Sequence, residues 1–189
     1  MTCIACVDGE GWERAMAAGV AAEAAGRPAA AEEAFGDALA RTVRLPAEHP
    51  YVLESLAALG RVCQQRGKLP EAIALATRLR AALVRLNGPD HPEVARQEYN
   101  LGVLYLEARD LPQSLAALER SLVLQERSGF GGLKAITLWR LGTVEAQRGQ
   151  PARALAAFER ALAAAERGDP IARQVEESRE ALRRALEER

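Results

Sequence analysis

With 189 residues and a formal charge of −1 at pH 7, the chain is long enough for a sizeable core and too near neutrality for charge alone to draw it to nucleic acid or an anionic membrane. Apolar residues make up 49% and aromatic residues 4%, a balance that suits alanine-rich and leucine-rich helices and disfavours a strand-rich fold. No run approaches the roughly 18 apolar residues of a membrane span, the N-terminus has neither the basic flank nor the long apolar region of an export signal, and an odd cysteine count speaks against a disulfide framework, so the expected compartment is the cytosol.

Residues 1–10 are expected to form an N-terminal extension. It contains Cys3 and Cys6, whose C-x-x-C spacing lets two thiolates reach one metal or close one small disulfide ring. Four ligands make a structural zinc site, and Cys63, His49 and His91 lie elsewhere without companion spacing. We read the pair as structural or incidental, with a metal shared with a second chain, lipidation and redox sensing as alternatives.

The next stretch, about 11–45, reads as a helical hairpin. Trp12 precedes a helix carrying Met16, Val20 and Ala22, and Arg27-Pro28 opens a second with Phe35, Ala38 and Leu39 on its apolar stripe, proline being tolerated in a first helical turn. A second hairpin, about 50–87, follows the Leu45-Pro46 to His49-Pro50 link. Its helices carry Leu53, Leu56, Leu59, Val62 and Cys63, then Ile73, Leu75, Leu79, Leu83 and Leu86. Cys63 reads as a small buried apolar residue. The link Asn87-Gly88-Pro89-Asp90-His91-Pro92 ends one helix with glycine and puts Asp90 near the cap of the next. His49 and His91 each precede a proline and read as equivalent corner residues, not as metal ligands.

A third hairpin, about 91–128, has Val94, Leu101, Leu104 and Tyr105 on one helix and Leu111, Leu115, Leu118, Leu122 and Val123 on the other, with the turn at Arg109-Asp110-Leu111-Pro112. The glycine-rich stretch Ser128 to Leu133 lacks the preceding strand and the lysine–hydroxyl pair of a phosphate loop, and reads as a corner. The fourth hairpin, about 133–168, carries Ile136, Leu138, Leu141 and Val144, and its second helix starts at Pro151. Trp139 lies about 100° around the axis from Leu138 and is expected off the packed seam. Residues 169–189 form a last amphipathic helix, with Asp169 as cap, Pro170 in the first turn and Ile171, Val175, Leu182, Ala185 and Leu186 on one stripe. A cap over the fourth hairpin is expected; a free coiled-coil strand is the alternative.

The hairpins repeat one another. Gly19, Gly60, Gly102 and Gly142 stand 41, 42 and 40 residues apart. Seven residues on come Gly26, Gly67, Arg109 and Gly149. Twelve on come the small Ala31, Ala72, Ser114 and Ala154, and sixteen on come Phe35, Ala76, Leu118 and Phe158. Around the third glycine, Leu101-Gly102-Val103-Leu104-Tyr105 matches a Leu-Gly-x-x-Tyr core. This pattern resembles the tetratricopeptide repeat, and its spacing, longer than the usual 34 residues or so, resembles that of kinesin light chains. The resemblance implies an all-α, right-handed α-solenoid of about four hairpins with a C-terminal capping helix, in which the first helix of each pair lines a concave groove.

Carried onto this sequence, the family's groove positions fall on Arg61, Gln64 and Gln65 of the second hairpin, with Glu54, Ala57 and Ala58 beside them. They fall on Arg96, Tyr99, Asn100, Val103 and Glu107 of the third, with Leu106, and on Trp139, Arg140 and Thr143 of the fourth, with Ile136, Ala146 and Gln147. Asn100 matches the amide that holds a peptide backbone, the arginines suit carboxylates, and Tyr99 and Trp139 offer flat anchors. Glu54 and Ala58 stand where a chaperone-tail clamp needs a lysine and an asparagine, so no such tail is expected. The expected function is a non-enzymatic scaffold or adaptor holding a peptide or partner helix, without cofactor, nucleic acid or membrane. Self-association through a terminal hairpin is a further expectation, and a metal- or redox-linked role of Cys3 and Cys6 is the alternative function. No catalytic set is legible.

Overall fold

The computed structural model describes residues 9–129, 131–166 and 169–188. Cys3 and Cys6 lie outside them. The described residues form an all-α helical-repeat fold of α1 (Gly9–Ala24), α2 (Pro28–Arg41), α3 (Pro50–Gln65), α4 (Leu69–Asn87), α5 (Pro92–Glu107), α6 (Leu111–Ser128), α7 (Lys134–Gln147), α8 (Pro151–Ala164) and α9 (Pro170–Glu187). They group into two compact units, one within Met1–Gly88 and one within Pro89–Arg189.

In the first unit, α1 packs on α2, α2 on α3 and α3 on α4. Phe35, Ala31, Ala22, Ala58 and Val62 make one core cluster, and Trp12, Ala15 and Ala38 make another. Trp12 corrects its sequence reading. It lies inside α1, not ahead of it, because its ring finds a buried slot: it stacks on Tyr51 with centroids 3.9 Å apart, and its Nε1–H donates to Ser55 Oγ at 2.9 Å. An indole pays little for burial when its one polar group is partnered. Val20, expected on the apolar stripe, is 56% exposed. Cys63 is buried, and burial pushes its thiol above the usual range, helped by the Glu32 charge. Glu32 itself holds Lys68 at 2.7 Å and also Arg66. The Lys68 bond is the largest of the influences that hold this carboxyl below its usual value, against a smaller opposing effect of burial.

The helix starts show how the links work. His49 and His91 are themselves the N-caps of α3 and α5, and each Nδ1 accepts a backbone N–H at 3.2 Å, from Tyr51 and Glu93 respectively. Asp90, expected near the α5 cap, instead pairs with Arg127 at 3.4 Å, since the residue directly before the proline holds the capping geometry. Asp110 and Asp169 cap α6 and α9, accepting from Gln113 N at 3.2 Å and Ile171 N at 2.9 Å.

In the second unit, α5 packs on α6, α6 on α7, α7 on α8 and α8 on α9. The core cluster includes Leu118, Leu138, Val144, Phe158, Ile171 and Val175. A buried polar chain crosses it. Ser114 Oγ donates to Gly102 O and Ser121 Oγ to Ala95 O, both at 2.7 Å. Gln125 Nε2 donates to both Ser121 Oγ and Thr137 Oγ1 at 2.9 Å. Because each of these donors finds an acceptor on a neighbouring helix, the chain fixes the register of α5, α6 and α7 as well as their spacing.

The hairpin turns share one backbone form. Gly26, Gly67 and Gly149 have φ of 65°, 72° and 72°, and Arg109 takes the same left-handed form at 61°. A side chain there costs about 1–2 kcal/mol, while glycine loses more unfolded-state entropy. Arg109→Gly is therefore expected to stabilise the second unit by about 0.5–1 kcal/mol, read as a raised urea midpoint with unchanged slope.

Candidate partner-docking face

The first helices of the second unit adjoin in sequence, α5 against α7 and α7 against α9. Spacings of three and four put Arg96, Tyr99, Asn100, Val103 and Glu107 on one stripe of α5, and Trp139, Arg140 and Thr143 on one stripe of α7. Arg61, Gln64 and Gln65 lie on α3 in the first unit. Ala58 and Leu106, placed in the groove by resemblance, are instead buried core residues, because Ala58 packs into the cluster with α1 and α2 residues and Leu106 into the core cluster of the second unit.

The cations differ in what already holds them. Arg61 is taken by Glu23 of α1, with bonds of 2.6 and 3.2 Å, and Arg96 pairs with Glu93 on its own helix. Such exposed pairs are worth about 0–1 kcal/mol, so a ligand carboxylate competes with them at little cost. Arg140 is different. No carboxylate among the described residues pairs with it; its guanidinium sits 4.4 Å from the Trp139 ring centroid, and its Nε is buried without an acceptor. Leaving a buried donor unmet costs about 1–3 kcal/mol.

The uncharged members differ too. Asn100 is exposed, and its Nδ2 reaches Gln97 Oε1 over a long 3.4 Å, so most of the amide's capacity is unused. Tyr99 is half-buried against the core cluster, as is Val103 in its stripe. Thr143 donates to Trp139 O at 3.1 Å. Gln65 and Glu107 are exposed and Gln64 is half-buried.

Trp139 is half-buried and is not a bare surface ring. It packs at the edge of the core cluster with Leu182, and its Nε1–H donates to Ser178 Oγ on α9 at 3.0 Å. The reason is α9, which lies beside α7 and receives the ring. Ser178 thus joins the face from a helix assigned only a covering role by sequence. The signal was present in Asp169-Pro170, which starts α9 as His49-Pro50 and His91-Pro92 start α3 and α5.

Among the described residues no three His, Cys, Asp or Glu side chains gather as a metal site, and no helix is long and apolar enough to cross a membrane. A cleft of about 410 Å³ lies beside the glycine-rich stretch, lined by Gly131, Lys134, Arg160 and Glu166. Its Lys134 pairs with Glu126 at 3.5 Å, and the Glu166 carboxylate opposes an anionic ligand.

Helix hairpins that repeat at a fixed interval, each burying its apolar face on the next, define a helical-repeat protein. The tetratricopeptide repeat profile matches residues 13–83, 66–127 and 93–167, and the chain belongs to that family. No curated protein matches it. Among solved structures, it is similar to BtubC (BKLC) from P. vanneervenii, with 24% identity and a TM-score of 0.71 over 77% of this chain and 59% of that one. It is similar also to a putative kinesin light chain with nearly identical TPR-like repeats from Podosopora anserina, with 20% identity and a TM-score of 0.70 over 94% and 90%. The protein MamA aligns at 21% identity with a TM-score of 0.63, over 82% and 74%. At such identities these likenesses speak for the fold alone. The chain spans less than two thirds of BtubC.

Proposed function

We propose that the protein is an interaction scaffold that holds an extended peptide or a helix of another protein against the α5–α7–α9 face of its second unit. The observation that carries this reading is the composition of that face: half-buried Tyr99, Val103 and Trp139 lie among Asn100, Arg96 and Arg140, so apolar anchors stand beside amide and guanidinium donors. Interfaces concentrate their affinity in aromatic and arginine side chains of this kind. In repeat arrays the row of first helices forms the concave binding surface, and α5 and α7 are the first helices of their hairpins.

Tyr99→Ala with Asn100→Ala and Arg140→Ala is expected to weaken a captured partner by about 100-fold or more, since each truncation at an interface centre costs about 1–2 kcal/mol or more. Titration calorimetry on the purified pair reads this, with circular dichroism showing retained helix. Wild-type affinity in the folded triple variant would overturn the docking face while leaving the family assignment intact.

A further inference from the structure

We infer that the second half of α9 sits on α7 in the place of a partner helix. An amphipathic helix of another protein, carrying a hydroxyl residue four positions before a leucine, docks by displacing that half from the Trp139 ring while the first half stays seated. The inference rests on the docking-face reading and names the kind of segment that face takes and what regulates its access.

The two halves of α9 are held differently. Asp169 caps the start, and the two buried side chains of the helix, Ile171 and Val175, fall in its first two turns. From Glu176 to Glu188 no residue is buried; Ser178, Arg179 and Leu182 are half-buried and the others are exposed. This half is held by the 3.0 Å bond from Trp139 Nε1–H to Ser178 Oγ and by the packing of Leu182 beside the core cluster. The exposed Arg183–Glu159 pair at 3.8 Å adds little. A helix end with so few buried contacts opens locally while the rest stays folded. Opening takes the acceptor from an indole N–H that can only donate, and it uncovers an apolar ring. The Arg140 guanidinium, 4.4 Å from the ring centroid, still supports that ring beside the α5 and α7 stripes. Ser178 and Leu182 show what the surface selects. Four residues apart, they share one helix face. The Ser178 hydroxyl donates its own proton to Gln174 O at 2.8 Å, which leaves its oxygen to accept from the indole. A docked helix with the same pair meets the same ring and the same N–H, as an amphipathic helix does in an apolar groove. The tethered half of α9 competes with it and lowers its apparent affinity.

Indole N–H exchange in the intact chain, read by NMR, tests the opening, and a synthetic peptide of residues 169–188 added in trans tests the replacement. The Trp139 indole N–H is expected to exchange at least about 100-fold faster than that of Trp12, which is closed on Ser55 inside the first unit. Ser178→Ala with Leu182→Ala should speed Trp139 exchange by about tenfold more, the scale of a lost hydrogen bond and its packing, and leave Trp12 unchanged. On this loosened chain the peptide should bind saturably and slow Trp139 exchange again, with an affinity about tenfold above that for the natural chain, where the tethered half must first be displaced. A peptide carrying the same two alanines should give no protection. If the double variant loses more helix by circular dichroism than α9 contains, Ser178→Ala alone carries the same comparison. Equal exchange of the two indoles, a loosened chain that the peptide does not protect, or equal protection by the alanine peptide would each overturn the inference. If the peptide fails while the Tyr99, Asn100 and Arg140 substitutions still abolish partner capture, the displaceable helix falls and the docking face stands. If the peptide protects Trp139 while capture ignores those substitutions, the docking face falls.

Discussion

Phe35→Ala is expected to be the most damaging single truncation in the first unit, costing about 3–5 kcal/mol in urea unfolding. Phe35 is fully buried and lies in a cluster with Ala22, Ala31, Ala58 and Val62, small neighbours that cannot grow into the space left behind. Its ring also rests on the backbone of α1: a Cβ built on Gly19 would lie 2.3 Å from the ring. Gly19→Ala alone should therefore be costly, yet in the Phe35→Ala background the clash is gone and the better helix propensity of alanine remains. The double variant should be more stable than the sum of the single losses by at least about 1 kcal/mol. Strict additivity of the two losses would show that ring and glycine are not in contact.

The second large effect separates two glycines that look alike in sequence. A Cβ on Gly102 would fall 2.6 Å from Leu118 Cγ and 3.3 Å from Leu118 N. The backbone nitrogen cannot swing aside, so α5 and α6 must part, and Gly102→Ala should destabilise the second unit by about 1–3 kcal/mol. At Gly60 the same Cβ meets only Leu75 Cβ at 3.6 Å, an ordinary contact. Gly60→Ala should raise stability by up to about 1 kcal/mol through helix propensity. Equal urea midpoints for the two variants would contradict the geometry.

That contrast shows how far the sequence could be read. The four glycines recur, and their recurrence located the hairpins. The residue sixteen on says which glycine is under pressure: Phe35, Leu118 and Phe158 fill the seam opposite Gly19, Gly102 and Gly142, whereas Ala76 stands in register with Gly60. The turns were legible in the same way, including Arg109 in a glycine's place. Trp12 was misread because its fate rests on Tyr51 and on Ser55, the latter 43 residues away, both in another hairpin.

The docking stripes on α5 and α7 came from local spacing combined with resemblance, but their occupancy did not. That Arg61 is claimed by Glu23, that Trp139 is claimed by Ser178, and that Arg140 and Arg179 are claimed by no carboxylate among the described residues follow from which helices lie side by side.

An all-α chain of repeating hairpins could be read from the residues alone, because helical periodicity, turn glycines and small seam residues are properties of neighbours along the chain. Which polar side chains already have partners emerged from the folded arrangement, because pairing between helices depends on distances in space that a one-dimensional pattern does not record.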